Sequence, residues 1–250
     1  MSSVTFVGHA TVELDLEGTR LLTDPLLGRN LGLLLRRAPL PDVAHLSGVD
    51  AVLVSHMHLD HLDLRSLRRL ERPIIAPRAA ADLLRKHGFQ DVTEMARGDT
   101  LAVGDATVRA VHAKHGANRL FGRGPEGSEP LGYVIEGAGT RTYFAGDTDL
   151  FDGMRELGPG IDLALLPIWG WGPRLGSGHL DPETAAQALA LIRPRLAIPI
   201  HHATLSLPGS SRLWPWLLTR PAEEFVAAAA ERAPDVEVRV LRPLETTALG

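Results

Sequence analysis

Leu53-Val54-Ser55-His56-Met57-His58-Leu59-Asp60-His61-Leu62-Asp63 carries an apolar segment straight into three histidines and an aspartate packed within six positions. Neutral imidazole and carboxylate are ligands that a divalent cation such as zinc, manganese or iron accepts. The chain has no cysteine to offer in their place. Ala51 to Val54 reads as a short buried strand, so the polar groups begin where its pairing ends. If the backbone stays extended, alternate side chains share a face, which puts His56, His58 and Asp60 together. A turn after Asp60 would bring His61 round beside it. The stretch then supplies two ligands to each of two neighbouring metals. A lone histidine at a strand end is ordinarily a polar loop residue, and His45 and His87 are read that way. Three histidines and an aspartate with no Lys or Arg between them are different, because desolvating such a group is costly unless a cation compensates.

Outward from this stretch, the strands Val4–Val7, Thr11–Leu16 and Arg20–Thr23 precede it, the last two joined by a turn at Glu17-Gly18-Thr19. Asp24-Pro25 ends that run, because proline has no N–H for a ladder. Leu26–Leu40 is a leucine-rich connection, read as a loop over the core or as a wall of a substrate cleft. After the histidines come a helix over Asp63–Leu70, a strand at Pro73–Ile75 and a helix over Arg78–His87 closed by Gly88. Hairpins follow at Thr100–Val111 and Leu131–Ala145, then a strand over Ile161–Pro167. Asp181 is placed to cap a helix with Pro182 in its first turn. Leu196–Ile200 is a strand leading into His201-His202, Ser206–Thr219 a loop, Pro221–Arg232 a helix and Val236–Leu241 the last strand. Glu17-Gly18-Thr19-Arg20 before Asp24 resembles Ala138-Gly139-Thr140-Arg141 before Asp147, a possible internal repeat. Gly122-Arg123-Gly124-Pro125-Glu126-Gly127 matches a dinucleotide fingerprint in form only, since it neither follows a strand directly nor opens a helix.

Composition narrows the function. A formal net charge of -4 over 250 residues gives no general attraction to nucleic acid, and none is expected as a partner. Zero cysteine rules out disulfide staples and thiolate chemistry. No run approaches the roughly 18 apolar residues of a transmembrane helix, and the first residues lack a basic leader, so a cytoplasmic single-domain protein over 1–250 is expected.

His-x-His-x-Asp-His at 56–61 resembles the signature of the metallo-β-lactamase superfamily. Val7-Gly8-His9-Ala10-Thr11, Thr23-Asp24-Pro25, Phe144-Ala145-Gly146-Asp147-Thr148, His179-Leu180-Asp181-Pro182-Glu183 and Pro199-Ile200-His201 extend the likeness along nearly the whole chain. The pattern is similar to the branch containing N-acylphosphatidylethanolamine phospholipase D and ascorbate-6-phosphate lactonase. The resemblance implies an α/β fold, a four-layer αββα sandwich of two mixed sheets flanked by helices. It also implies two divalent ions, zinc first with manganese or iron as alternatives. His56, His58 and His115 would hold one, Asp60, His61 and His201 the other, with Asp147 between them. Asp60 and His179 are the expected catalytic residues, and His9, Asp24, His112 and His202 the expected supporting ones.

Two such ions ~3.5–4 Å apart lower the pKa of a shared water from near 15.7 toward about 7, so a bound hydroxide is available at neutral pH. Hydrolysis of a phosphodiester, phosphoester or lactone in a small molecule or lipid head group follows as the expected activity. His58 stands where oxygen-reducing relatives carry an acidic ligand, which argues against redox chemistry. An RNA-processing nuclease and a non-catalytic metal-binding scaffold are the competing readings. The apolar stretches Leu31–Leu35 and Leu213–Leu218 would contact acyl chains or a second subunit, so a homo-oligomer is a possible assembly.

Overall fold

The computed structural model describes residues 1–116, 129–157 and 160–249. The Gly122–Gly127 fingerprint lies outside them. One sheet of seven strands takes β1 (Ser3–Gly8), β2 (Thr11–Leu16) and β3 (Thr19–Thr23) from the start of the chain. After a small hairpin of β4 (Asn30–Leu31) and β5 (Leu34–Arg36), it adds β6 (Ala51–Leu53), β7 (Ile74–Pro77) and β8 (Val92–Met95). The second seven-stranded sheet runs through β9 (Thr100–Val103), β10 (Ala106–His112), β11 (Leu131–Gly137), β12 (Thr140–Phe144), β13 (Leu163–Pro167) and β14 (Leu196–Ile200). Short β15 (Leu205–Ser206) joins β5 and β4 in a three-stranded sheet, β16 (Glu237–Val238) edges the second large sheet, and β17 (Glu245–Ala248) returns to pair with β1.

Leu14, Leu21, Tyr133, Phe144 and Ile198 meet between the two large sheets in a core with almost no solvent access. The outer faces are covered by helices, Leu67 (Leu64–Leu70) and Leu84 (Arg78–Lys86) on the first sheet and Leu189 (Pro182–Ile192) and Phe225 (Arg220–Arg232) on the second. This is the αββα sandwich. Strands buried on both faces, such as Leu163–Pro167 and Leu196–Ile200, are apolar throughout rather than alternating.

The two halves repeat one local design. β2–β3 and β11–β12 are hairpins whose turns place Glu17-Gly18 and Ala138-Gly139 at positive φ. In each, the second strand then pairs in parallel with the next strand, β6 or β13. Arg20 N–H donates to Asp50 Oδ2 at 2.7 Å, and Arg141 N–H to Asp162 Oδ2 at 2.8 Å. Asp50 and Asp162 N–H return bonds to the Arg20 and Arg141 carbonyls, each at 2.8 Å. The short shared words at Glu17–Arg20 and Ala138–Arg141 therefore mark equivalent places, and Asp24 and Asp147 follow equivalent strands.

Three expectations change. The leucine-rich connection holds the β4–β5 hairpin, because Gly32 supplies the positive φ of its turn and β15 gives β5 a partner. Ser206–Thr219 contains a short helix at Ser210–Leu213 and a 3₁₀ turn at Pro215–Leu218. The final strand is Glu245–Ala248, since pairing with β1 was a long-range event that local alternation at Val236–Leu241 could not reveal.

Candidate metal centre

The backbone around the histidines turns earlier than an extended reading allows. His61 and Leu62 N–H both bond to the His58 carbonyl, at 3.1 and 2.8 Å, so the turn begins at His58 rather than after Asp60. His56 and His58 join His115 and Asp147 in one group, Asp60 and His61 join His201 and His9 in another, and Asp24 with His56 and His61 makes a third that joins the two, each group's ligand atoms lying within 4.8 Å of one another.

The partners reach the site from strand ends. Asp147 follows β12, and Gly146 before it has φ +59, where an added Cβ would sit 2.6 Å from Ser55 Cβ, so only glycine lets this loop close on the metal loop. His115 follows β10 and is tied to that loop by Lys114 N–H to Thr148 Oγ1 at 3.0 Å and Asp149 N–H to the Lys114 carbonyl at 2.8 Å. His201 follows β14, and its N–H bonds to the His9 carbonyl at 2.8 Å. His9, Asp24 and His201 all have positive φ, 59°, 34° and 61°, an unfavourable backbone state held at three positions where side chains converge.

Hydrogen bonds fix which ring nitrogen faces inward. His115 Nδ1 donates to the Gly178 carbonyl at 2.6 Å and His201 Nδ1 to the Trp169 carbonyl at 2.7 Å, leaving each Nε2 lone pair turned to the interior. Asp24 is the hub of this arrangement. It accepts from His61 Nδ1 at 2.7 Å, Ser55 N–H at 2.7 Å and Ser55 Oγ at 2.6 Å, while Ser55 Oγ also meets His56 Nδ1 at 2.9 Å. As a result, His61 and His201 Nε2 face one another at 3.1 Å, and His115 Nε2 lies 3.1 Å from His58 Nδ1. Two neutral imidazoles cannot share lone pairs at that distance without a proton or a cation between them. Buried His56 Nε2 and Asp147 Oδ1 have no hydrogen-bond partner among the described residues. Asp147 Oδ2 lies 3.1 Å from His61 Nε2 and 3.9 Å from both His56 and His115 Nε2, with Oδ1 3.4 Å from His201 Nε2. It faces both groups at once. The donor set and its orphaned atoms fit divalent ions.

Electrostatics agree. Burial pushes His115 down to about 4 and His9 down to about 3, favouring the neutral rings that metals bind. Burial likewise holds His56 well below its ordinary pKa. Burial opposes charge on Asp147 too, but His201 and His61 outweigh it and keep the carboxyl well below its usual range. At His61 the burial penalty is overcome by Asp147, Asp60 and Asp24, and the pKa stands well above its ordinary value. Buried Asp24 and Asp147 and half-buried Asp60, gathered around one ring, make a field that attracts a cation.

A model of the beta-lactamase superfamily domain matches residues 19–202. A UPF0173 metal-dependent hydrolase from Deinococcus radiodurans is 39% identical over 255 residues and spans the whole of both chains. The chain belongs to the metallo-β-lactamase superfamily. It is a metal-dependent hydrolase of that superfamily, similar also to a UPF0173 metal-dependent hydrolase from Methanopyrus kandleri, 34% identical over 97% of this chain and 98% of the relative. The solved structure of Igni18, a metallo hydrolase from Ignicoccus hospitalis, superposes with a TM-score of 0.74 at 25% identity, covering 98% of this chain and 97% of that one.

Around the hydrolase's centre, His179 lines a cleft of about 530 Å³ with His58, Asp60, Asp147 and His201, and its Nε2 lies 3.3 Å from Asp147 Oδ2. Leu31, Leu34 and Trp171 form apolar walls. His9 Nε2 meets Asp60 Oδ2 at 2.9 Å. His112 instead stands against Phe151 and Glu129, in none of the metal-ligand groups, and His202 stacks on Phe6 at 5.8 Å. Motif reading passed over Ser55, which links Asp24 to His56, and Thr204, whose Oγ1 accepts the His9 N–H at 2.7 Å. Ser55 directly precedes His56 inside the histidine stretch. Nothing local marked Thr204 or the carbonyls of Trp169 and Gly178.

Proposed function

We propose that the chain is a dinuclear hydrolase that cleaves a phosphodiester, phosphoester or lactone in a small molecule or lipid head group. The observation that carries this reading is the inward convergence of imidazole nitrogens on Asp147, which faces both ligand groups. His56, His58 and His115 would hold one ion and Asp60, His61 and His201 the second, with Asp147 shared. Divalent ions there would activate water and polarise the electrophile of the substrate. Zinc, manganese and iron all suit these nitrogen and oxygen donors.

The chain's own groups do the rest. Asp24 keeps His61 in one tautomer, and the Trp169 and Gly178 carbonyls do so for His201 and His115. His9 braces Asp60 through its Nε2. His179 holds its Nδ1 on the Gly176 carbonyl at 3.1 Å, which directs Nε2 toward the cleft floor, where it can deliver a proton to a leaving oxygen. The leucine and tryptophan walls seat the apolar part of the substrate and reduce water access.

Metal content by mass spectrometry on protein purified without added metal, with cleavage of bis(p-nitrophenyl) phosphate and of a lactone panel, tests the reading. Near two metals per chain and turnover lost in Asp147→Asn support it. A single metal per chain at saturation, or turnover unchanged in the variant, overturns the dinuclear assignment.

A further inference from the structure

Two segments that line the cleft, 25–41 and 168–178, and a third packed against them, 203–222, contain six arginines and no aspartate or glutamate. At the chain's average density those 48 residues would hold about six acids. The rest of the chain is left with 20 basic against 30 acidic residues, so the chain's excess of positive charge is gathered in these segments. The segments are bound to one another. β5 pairs with β15, Arg37 Nε donates to Ser206 Oγ at 2.7 Å, and Trp169 meets Trp216 edge-on at 6.0 Å. Large apolar side chains stand out from the same segments: Leu33 is 77% exposed, Leu213 72%, Trp171 41% and Trp214 38%.

We propose that this face docks on an anionic lipid bilayer, with the leucines entering the interface, tryptophans at head-group depth and arginines on lipid phosphates. Charge decides between occupants. A symmetric contact with a second copy would set these acid-free, arginine-bearing segments against each other, whereas an anionic leaflet complements them. Protruding leucines find an apolar sink in lipid that nucleic acid does not offer. No helix among the described residues is long and apolar enough to cross a membrane, so contact is confined to the surface. Arg29 and Arg212 are exposed, and the Arg220 guanidinium is partly neutralised by Glu224 at 2.7 Å.

Co-sedimentation of the full chain with phosphatidylcholine vesicles, with and without roughly a third phosphatidylglycerol, tests this without any reference to turnover. Binding is expected only to the anionic vesicles and should weaken as salt rises. Arg29→Gln with Arg212→Gln should reduce it by about fivefold per arginine, and Leu33→Ser with Leu213→Ser by about tenfold or more per leucine. Circular dichroism melts confirm that the variants fold. Absence of binding to anionic vesicles, or binding unchanged in either pair, overturns the proposal. A dimer in sedimentation velocity that the leucine pair dissolves assigns the face to a second copy instead. Binding to single-stranded RNA in preference to vesicles assigns it to nucleic acid.

Discussion

Asp24→Asn changes one atom in the carboxylate that orients His61 and Ser55 at the metal centre. Asp24 accepts three bonds, from Ser55 N–H, Ser55 Oγ and His61 Nδ1, and is fully buried. Asparagine offers a single acceptor oxygen. If that oxygen faces Ser55 N–H, the amide group faces His61 Nδ1, which must become an acceptor and carry its proton on Nε2, the nitrogen turned to Asp147 and His201. If the amide is reversed, Ser55 N–H is left unpaired in the interior at a cost of about 1–3 kcal/mol. Ser55 Oγ can rotate to suit either orientation, so it adds little. Loss of an outer partner of a histidine ligand lowers metal affinity by about 10–100-fold, roughly 1.4–2.7 kcal/mol. The group of Asp60, His61 and His201 should therefore release metal first as a graded chelator is added, with the His56, His58 and His115 group following. Bound metal per chain by mass spectrometry and urea unfolding of the metal-free protein give the two quantities separately. An Asp24→Asn protein with the wild-type chelator midpoint and an unchanged urea midpoint would refute the assignment of Asp24 as the orienting hub.

Four other outcomes follow from the same structure. His179→Gln should leave bound metal unchanged and lower kcat by about 100-fold or more on a substrate with a poor leaving group, with a smaller loss on nitrophenyl esters, and equal losses on both would remove the proton-donor role. Gly8→Ala should cost about 3 kcal/mol in urea unfolding, because Gly8 has φ +130 and a Cβ there would meet Arg36 Nη2 at 2.8 Å. Burial against Phe6 pushes His202 down to about 4, so its stabilising effect is complete above the unfolded pKa near 6.5 and is lost as pH falls toward 4, roughly 3 kcal/mol in all. His202→Phe should flatten that part of the acid unfolding curve, and an unchanged slope would show that other groups set it. Chelation should lower Tm in proportion to metal affinity, by about 2.7 kcal/mol of stability for metal held at 100 times its Kd, and a Tm indifferent to chelator would contradict metal bound only by the folded state.

Much of this was legible in the residues. The clustering of His56, His58, Asp60 and His61 after an apolar strand pointed to a metal centre, because ligand chemistry and desolvation cost are local properties of residue type and spacing. Asp181 with Pro182 specified a helix start, since a cap is decided within one turn, and the structure shows the full capping box with Thr184. The paired words around Arg20 and Arg141 marked the two equivalent halves.

Tertiary structure decided what those residues face. Ser55 and Asp24 are separated by 31 positions and His201 and Trp169 by 32, so the bonds that set each imidazole's tautomer exist only once strands distant in the chain lie side by side within each sheet. His112 and His115 stand on one segment, and the ties of Lys114 to Thr148 and Asp149, with the Gly178 carbonyl on the ring, turn His115 into the site while His112 packs on Phe151. The leucine-rich connection became a cleft wall because β15, nearly 170 residues downstream of β5, supplied its pairing partner. Residue type and spacing determined which chemistry the chain can support. Which lone pair points at which neighbour was decided by long-range packing, because orientation depends on partners that sequence proximity does not supply.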